Sequence, residues 1–169
     1  MSRALKGAIG LLVAVAVLSG MLPATASPKS KAAVLQIRRV LGTVPSCSGW
    51  KSEPPGGKPA LIRVLGQPKQ CYRVGISDAS LQGVDAVAAN EAANGQGWVI
   101  NVSLSHAQSA AFNKMAVRDF HKVVTCVVEG MSLNEVNINT RDFGGSFQIW
   151  SPYFTKQSAQ RIARELDAG

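Results

Sequence analysis

From Trp98 onward the hydrophobic residues change period several times, and each change predicts an element. In GWVINVSL, Trp98, Ile100, Val102 and Leu104 alternate with Val99, Asn101 and Ser103. Period two predicts a strand with one core face and one more polar face. At Ser105 the spacing becomes three and four. Ala111, Phe112, Met115 and Ala116 form a helical stripe, and Ser105-His106-Ala107-Gln108 has the form of a capping box. Val123 to Val128 is then continuously apolar apart from Thr125, as a buried strand would be. Glu129-Gly130 reads as a turn, and Met131 to Ile138 as the returning strand. Gly144-Gly145 bends the chain into Ser146–Trp150. The last helix takes Thr155 as its cap and buries Ala159, Ile162, Ala163 and Leu166.

The earlier half is less decisive. In AVLQIRRVL, residues 33–41, Leu35, Ile37 and Leu41 alternate, yet the segment also suits a short helix. Residues 43–60 form a Pro/Gly-rich loop around Pro54-Pro55-Gly56-Gly57. ALIRVLG, residues 60–66, reads as a short strand or helix over the core, and CYRVGI, residues 71–76, as a strand. VDAVAANEAA carries enough alanine for a helix. The turn residues Asn94 to Gly97 instead favour a hairpin with the Trp98 strand. Two helices on one face of a mostly antiparallel sheet is the economical packing, an α+β two-layer sandwich.

The first residues belong to a different regime. Arg3 and Lys6 precede an apolar run from Ala8 to Leu22, and Ala24-Thr25-Ala26 offers a peptidase site. Residues 1–26 are expected to be a secretory signal peptide, residues 27–32 a flexible tether and residues 33–169 the folded domain. The rival reading is an uncleaved anchor, because no charge occurs between Gly7 and Pro28. Either way the expected location is secreted or in the cell envelope.

Export changes how the three cysteines read, since disulfides persist outside the cytoplasm. Cys47 and Cys71 lie near Pro- and Gly-containing loops and are expected to pair. Cys126 lies inside KVVTCVVEG and is expected to be a free, buried thiol. Charge is uneven as well. From Ser27 to Arg73 nine basic residues face only Glu53, a net +8; from Val74 onward seven basic face nine acidic residues, a net −2. The basic half suits an anionic partner such as lipid head groups, a wall polymer or an acidic polypeptide, or simply a solvated surface. No aromatic–basic motif for nucleic acid is present.

Catalytic chemistry finds no foothold. His106 and His121 lack a second ligand at metal spacing. No G-x-S-x-G occurs, and Gly144-Gly145-Ser146 leads into a strand rather than a helix. Asp78, Asp85 and Asp142 read as ordinary loop or strand-edge residues. No catalytic residue, metal or cofactor is expected. Trp150 shares a strand with Phe147 and Ile149 but faces the other way, which suits an exposed contact beside Tyr153.

Taken in order, these segments resemble the SecD/SecF protein-export family, in particular the head subdomain of the first periplasmic domain of SecD. The likeness is carried by Val74-Gly75-Ile76 in CYRVGI, by GWVINVSLSHAQSAAFNKMA with Trp98 and Phe112, by VVTCVVEGMSLNEVNI, and by SFQIWSPYFTKQSAQRIARELDAG. Upstream, LQIRRVL resembles the short strand that begins the head. Arg38 matches an arginine there and Arg39 stands where the family has a proline, which implies that this segment is a strand. The family's membrane helices and hinged base have no counterpart in this reading.

The resemblance implies a non-enzymatic module that contacts exported or unfolded polypeptides, or a membrane translocase component. The alternative is a structural or accessory envelope protein with a single dedicated partner. The expected contact surface comprises Arg38, Arg39, Arg63, Arg73, Trp150 and Tyr153.

Overall fold

The computed structural model describes residues 33–49, 58–91, 95 and 97–168. The expected signal peptide, the tether, Trp50 and the centre of the Pro/Gly-rich loop lie outside them. The elements run β1 (Leu35–Val44), β2 (Ala60–Val64), β3 (Gln67–Leu81), β4 (Asp85–Asn90), β5 (Trp98–Ser103), α1 (His106–Arg118), β6 (Val123–Val128), β7 (Met131–Asn137), β8 (Ser146–Trp150) and α2 (Lys156–Asp167). The class is α+β with two helices, as expected. The ambiguous segment at 33–41 is a strand from Leu35 onward, and so is the alanine-rich DAVAAN. No helix among the described residues is long and apolar enough to cross a membrane.

The strands divide between two sheets. Strands β1, β3, β2, β7 and β6 close into a small barrel, while β4, β5 and β8 form a separate sheet in that order. Two features of the chain make this division. First, β3 is fifteen residues long, and polar Ser77-Asp78-Ala79-Ser80 continues it to Leu81 against the start of β1. Register shifts near Arg38 and Val40 bend β1 so that it borders both β3 and β6. Second, β2 closes the ring by pairing parallel to β7 through Arg63 with Met131 and Val64 with Ser132. The other ladders are antiparallel.

Alternation then assigns two cores. Leu35, Ile37, Val124, Cys126 and Val128 point out of the barrel into the main core, with Leu81, Leu133 and Ile138. The same core takes Ile100, Val102 and Ile149 from the three-stranded sheet, and both helices press into it. Val40, Ile62, Tyr72, Val74 and Val127 fill a smaller core inside the barrel. β6 is therefore covered on both faces, which explains its unbroken apolar run.

The local signals act as their chemistry requires. Both helices begin in full capping boxes, at Ser105 with Gln108 and at Thr155 with Ser158. α2 buries Ala159, Ile162, Ala163 and Leu166, the expected stripe. α1 buries Phe112, Met115 and Ala116, whereas Ala111 is exposed. Phe112 uses up the space: it stacks on Phe147 at 4.7 Å and meets Phe143 edge-on at 4.9 Å. Glu129 and Gly130 both have positive φ, 49° and 72°, as a two-residue hairpin joining β6 to β7 demands.

Candidate functional site

Arg38 corrects the expected contact surface. Its side chain is fully buried. The guanidinium Nε and Nη2 donate to the Gly75 carbonyl at 3.0 and 2.6 Å, Nη2 also donates to the Lys58 carbonyl, and Nη1 donates to Gln36 Oε1 at 3.2 Å. Burial lowers its pKa, with the charge of Asp78 partly opposing. The alternation of β1 turns Arg38 away from the main core, where its planar fork gathers backbone acceptors from β3 and from the approach to β2. Arg38 is a structural clamp and presents nothing to a partner.

Arg39 is half-exposed but committed to a charge network. It pairs with fully buried Asp119, and this hydrogen bond raises its pKa. Arg118 Nη2 reaches Asp78 Oδ1 at 2.7 Å and Asp119 Oδ2 at 3.2 Å, while the Arg39 backbone N–H donates to Asp78 Oδ2 at 3.0 Å. Burial, and then the neighbouring charge of Asp119, raise the pKa of Asp78. Asp78 is thus no ordinary edge residue: two carboxylates and two guanidinia tie the end of α1 to β1 and β3.

The cysteines follow the expected pattern. Cys47 and Cys71 form a disulfide with their Cα atoms 5.4 Å apart and a sequence separation of 24. Closing a loop of that size stabilises the fold by about 3–4 kcal/mol in the chain-entropy model. Cys126 is free and buried, and burial pushes its thiol up to about 12. Such a thiol stays protonated and is a poor nucleophile. Among the described residues no group of three His, Cys, Asp or Glu side chains is placed to hold a metal ion.

Arg73 is exposed and Arg63 half-buried, both on strands flanking the disulfide. Tyr153 is 42% exposed, yet it works as a joint. Its hydroxyl accepts from Gln67 Nε2 at 2.9 Å, and its ring lies so close to Gly66 that a Cβ there would stand 2.3 Å from the ring. The turn after β8 is thereby fastened to the β2–β3 hairpin. Trp150, 41% exposed, lies on the outer face of the three-stranded sheet as expected. Its cross-strand partner is Val99, and that of Val99 on the other side is Ala89. Val99, on the face expected to be polar, is completely buried. The predicted residues therefore do not converge: Arg39, Arg73 and Trp150 belong to different faces.

A feature that the sequence did not suggest lies beside them. β4 is an edge strand, and α2 lies closer to it than to β5. Between them runs a groove of about 410 Å³ lined by Ala86, Val87, Ala88, Gln160, Ala163, Arg164 and Asp167. The spacing of the four helix residues marks one flank of α2.

The chain matches no protein-family profile and no curated protein sequence. Its architecture does have solved counterparts. SecDF in the Super-membrane-facing form superposes with a TM-score of 0.58 at 18% identity, over 81% of this chain and 19% of that one. A structure of SecDF as a membrane component that enhances protein export gives 0.59 at 18% identity, over 82% of this chain and 64% of that one. The chain shares the fold of a part of SecDF. It spans about a fifth of the first SecDF chain and just under two thirds of the second. At this identity the likeness concerns the fold alone. The overlap is too broad to rest on α1 and α2 alone, so a SecDF-like arrangement of strands is part of the match.

Proposed function

We propose that this protein is an extracytoplasmic, non-enzymatic binding module that contacts exported polypeptides or a component of the export machinery. The observation that carries the reading is the superposition on SecDF over four fifths of the chain. SecDF is a membrane component that enhances protein export. Two features of the chain support the location. The Cys47–Cys71 disulfide suits an oxidising compartment, and residues 1–26 read as a signal peptide ahead of a short tether. The buried Cys126 thiol and the structural engagement of Arg38, Asp78 and Asp119 favour binding over catalysis. Arg63 and Arg73 on the barrel add positive charge that would draw acidic segments, anionic lipid or wall polymer.

A photoreactive amino acid at the exposed position 150 tests the proposal in intact cells. The expected outcome is capture of many newly exported chains, or of a translocase subunit. Capture of one folded envelope protein unrelated to export would overturn it in favour of a dedicated structural role.

A further inference from the structure

The groove between β4 and α2 has the properties of a strand-receiving site. β4 pairs with β5 through six successive residues, Asp85 with Ser103 to Asn90 with Trp98, without a register shift. Among the described residues its other edge meets no strand of the sheet. An edge strand carries alternate N–H and C=O groups outward, and folded proteins usually blunt such edges with proline, lysine or a bulge. DAVAAN has none of these, and its only charged residue, Asp85, stands at its first position. Towards α2 the groove is floored by short side chains, Ala86 and Ala163 buried and Ala88 half-buried, and Val87 is 59% exposed. Arg164 and Asp167 stand on the helix flank, and neither forms an ion pair among the described residues.

From this we propose that the groove binds an extended polypeptide segment, which adds to the sheet beside β4 and seats alternate small or apolar side chains over Ala86, Ala88 and Ala163. The inference rests on the polypeptide-binding reading above and gives it a site. Outward backbone donors and acceptors at strand spacing match another peptide backbone, which neither a lipid nor a polysaccharide supplies. The pair Arg164 and Asp167 offers one charge of each sign to side chains along the segment. A second copy of this chain fits less well. Strands in a sheet lie about 4.8 Å apart, whereas packed helices need about 8–10 Å. Because α2 lies over β4, pairing two β4 edges would force the two α2 helices into the same space.

The test uses the protein without its first 26 residues and a reduced, carboxymethylated α-lactalbumin chain, which stays unfolded, as the probe. Gln160→Trp plugs the groove from an exposed helix position. Val87→Lys installs the missing edge protection at an exposed strand position. Both variants should keep the wild-type circular dichroism and bind the probe at least tenfold more weakly, while Lys114→Gln, at an exposed position of α1, changes binding less than threefold. Amide exchange in β4 should slow when the wild type binds. Wild-type binding that survives both groove variants would place the contact elsewhere and overturn the site, leaving the functional reading intact. Absence of wild-type binding would remove both. A dimer in sedimentation that either groove variant dissociates would assign the edge to self-association instead.

Discussion

Gly66→Ala tests the joint between barrel and second sheet, because the cost can be worked from distances. Gly66 has φ +72°, where a side chain costs roughly 1–2 kcal/mol. The new Cβ would stand 2.3 and 2.4 Å from Tyr153 Cγ and Cδ1 and 2.7 Å from Tyr153 Cβ. No rotamer of an alanine avoids this, so the Tyr153 ring must move. That sacrifices its packing and the 2.9 Å bond from Gln67, worth about 0.5–1.5 kcal/mol. The expected total is about 2–4 kcal/mol, read as a lower urea midpoint at an unchanged slope. Tyr153→Ala should cost about 1–2 kcal/mol alone, as a partly exposed side chain. Combined with Gly66→Ala it should recover about 1–2 kcal/mol relative to additivity, because both ring contacts vanish and only the Cβ contact remains. A Gly66→Ala variant within about 0.5 kcal/mol of wild type, or a strictly additive double variant, would refute the wedge.

Arg38→Met should lower stability by about 2–4 kcal/mol in urea unfolding, since the Gly75 and Lys58 carbonyls lose their donors at about 1–3 kcal/mol each and removal of a buried cation offsets only part. Its retention on a cation exchanger should change less than that of Arg73→Met; equal changes would contradict the burial of Arg38. Burial, then the neighbouring Glu135, raise the Tyr72 phenol to about 12. Its contribution to stability is therefore whole below the unfolded value near 10 and is lost as pH rises towards the folded value, about 2–3 kcal/mol in all. With Tyr153→Phe only Tyr72 remains to titrate, and a phenolate midpoint near 10 in the folded protein would contradict the burial argument.

The sequence was most legible where one residue has one local job. Ser105 and Thr155 announce their helices because a side-chain oxygen must cap free N–H groups nearby, and the α2 stripe follows from helical period alone. The partition into two sheets was hidden, because it depends on non-local pairing. The parallel contact of Arg63 and Val64 with Met131 and Ser132 leaves no periodic trace, and polar Ser77-Asp78-Ala79-Ser80 does not look like the end of a strand. Burial of Arg38 was equally invisible. A lone arginine on a strand reads as surface until the chain brings the carbonyls of Gly75 and Lys58 around it. The β4–α2 groove left only an absence, a strand without lysine or proline, and an absence has no meaning until the structure puts β4 at the edge of its sheet.

The backbone N–H of Ala33 donates to the Glu165 carbonyl at 2.8 Å, in the last turn of α2. The two ends of the folded body thus leave from a single spot. Such a body behaves as a cassette: it can be spliced into a host loop, or its ends linked and new ones cut at an exposed turn, with little distortion of what lies between.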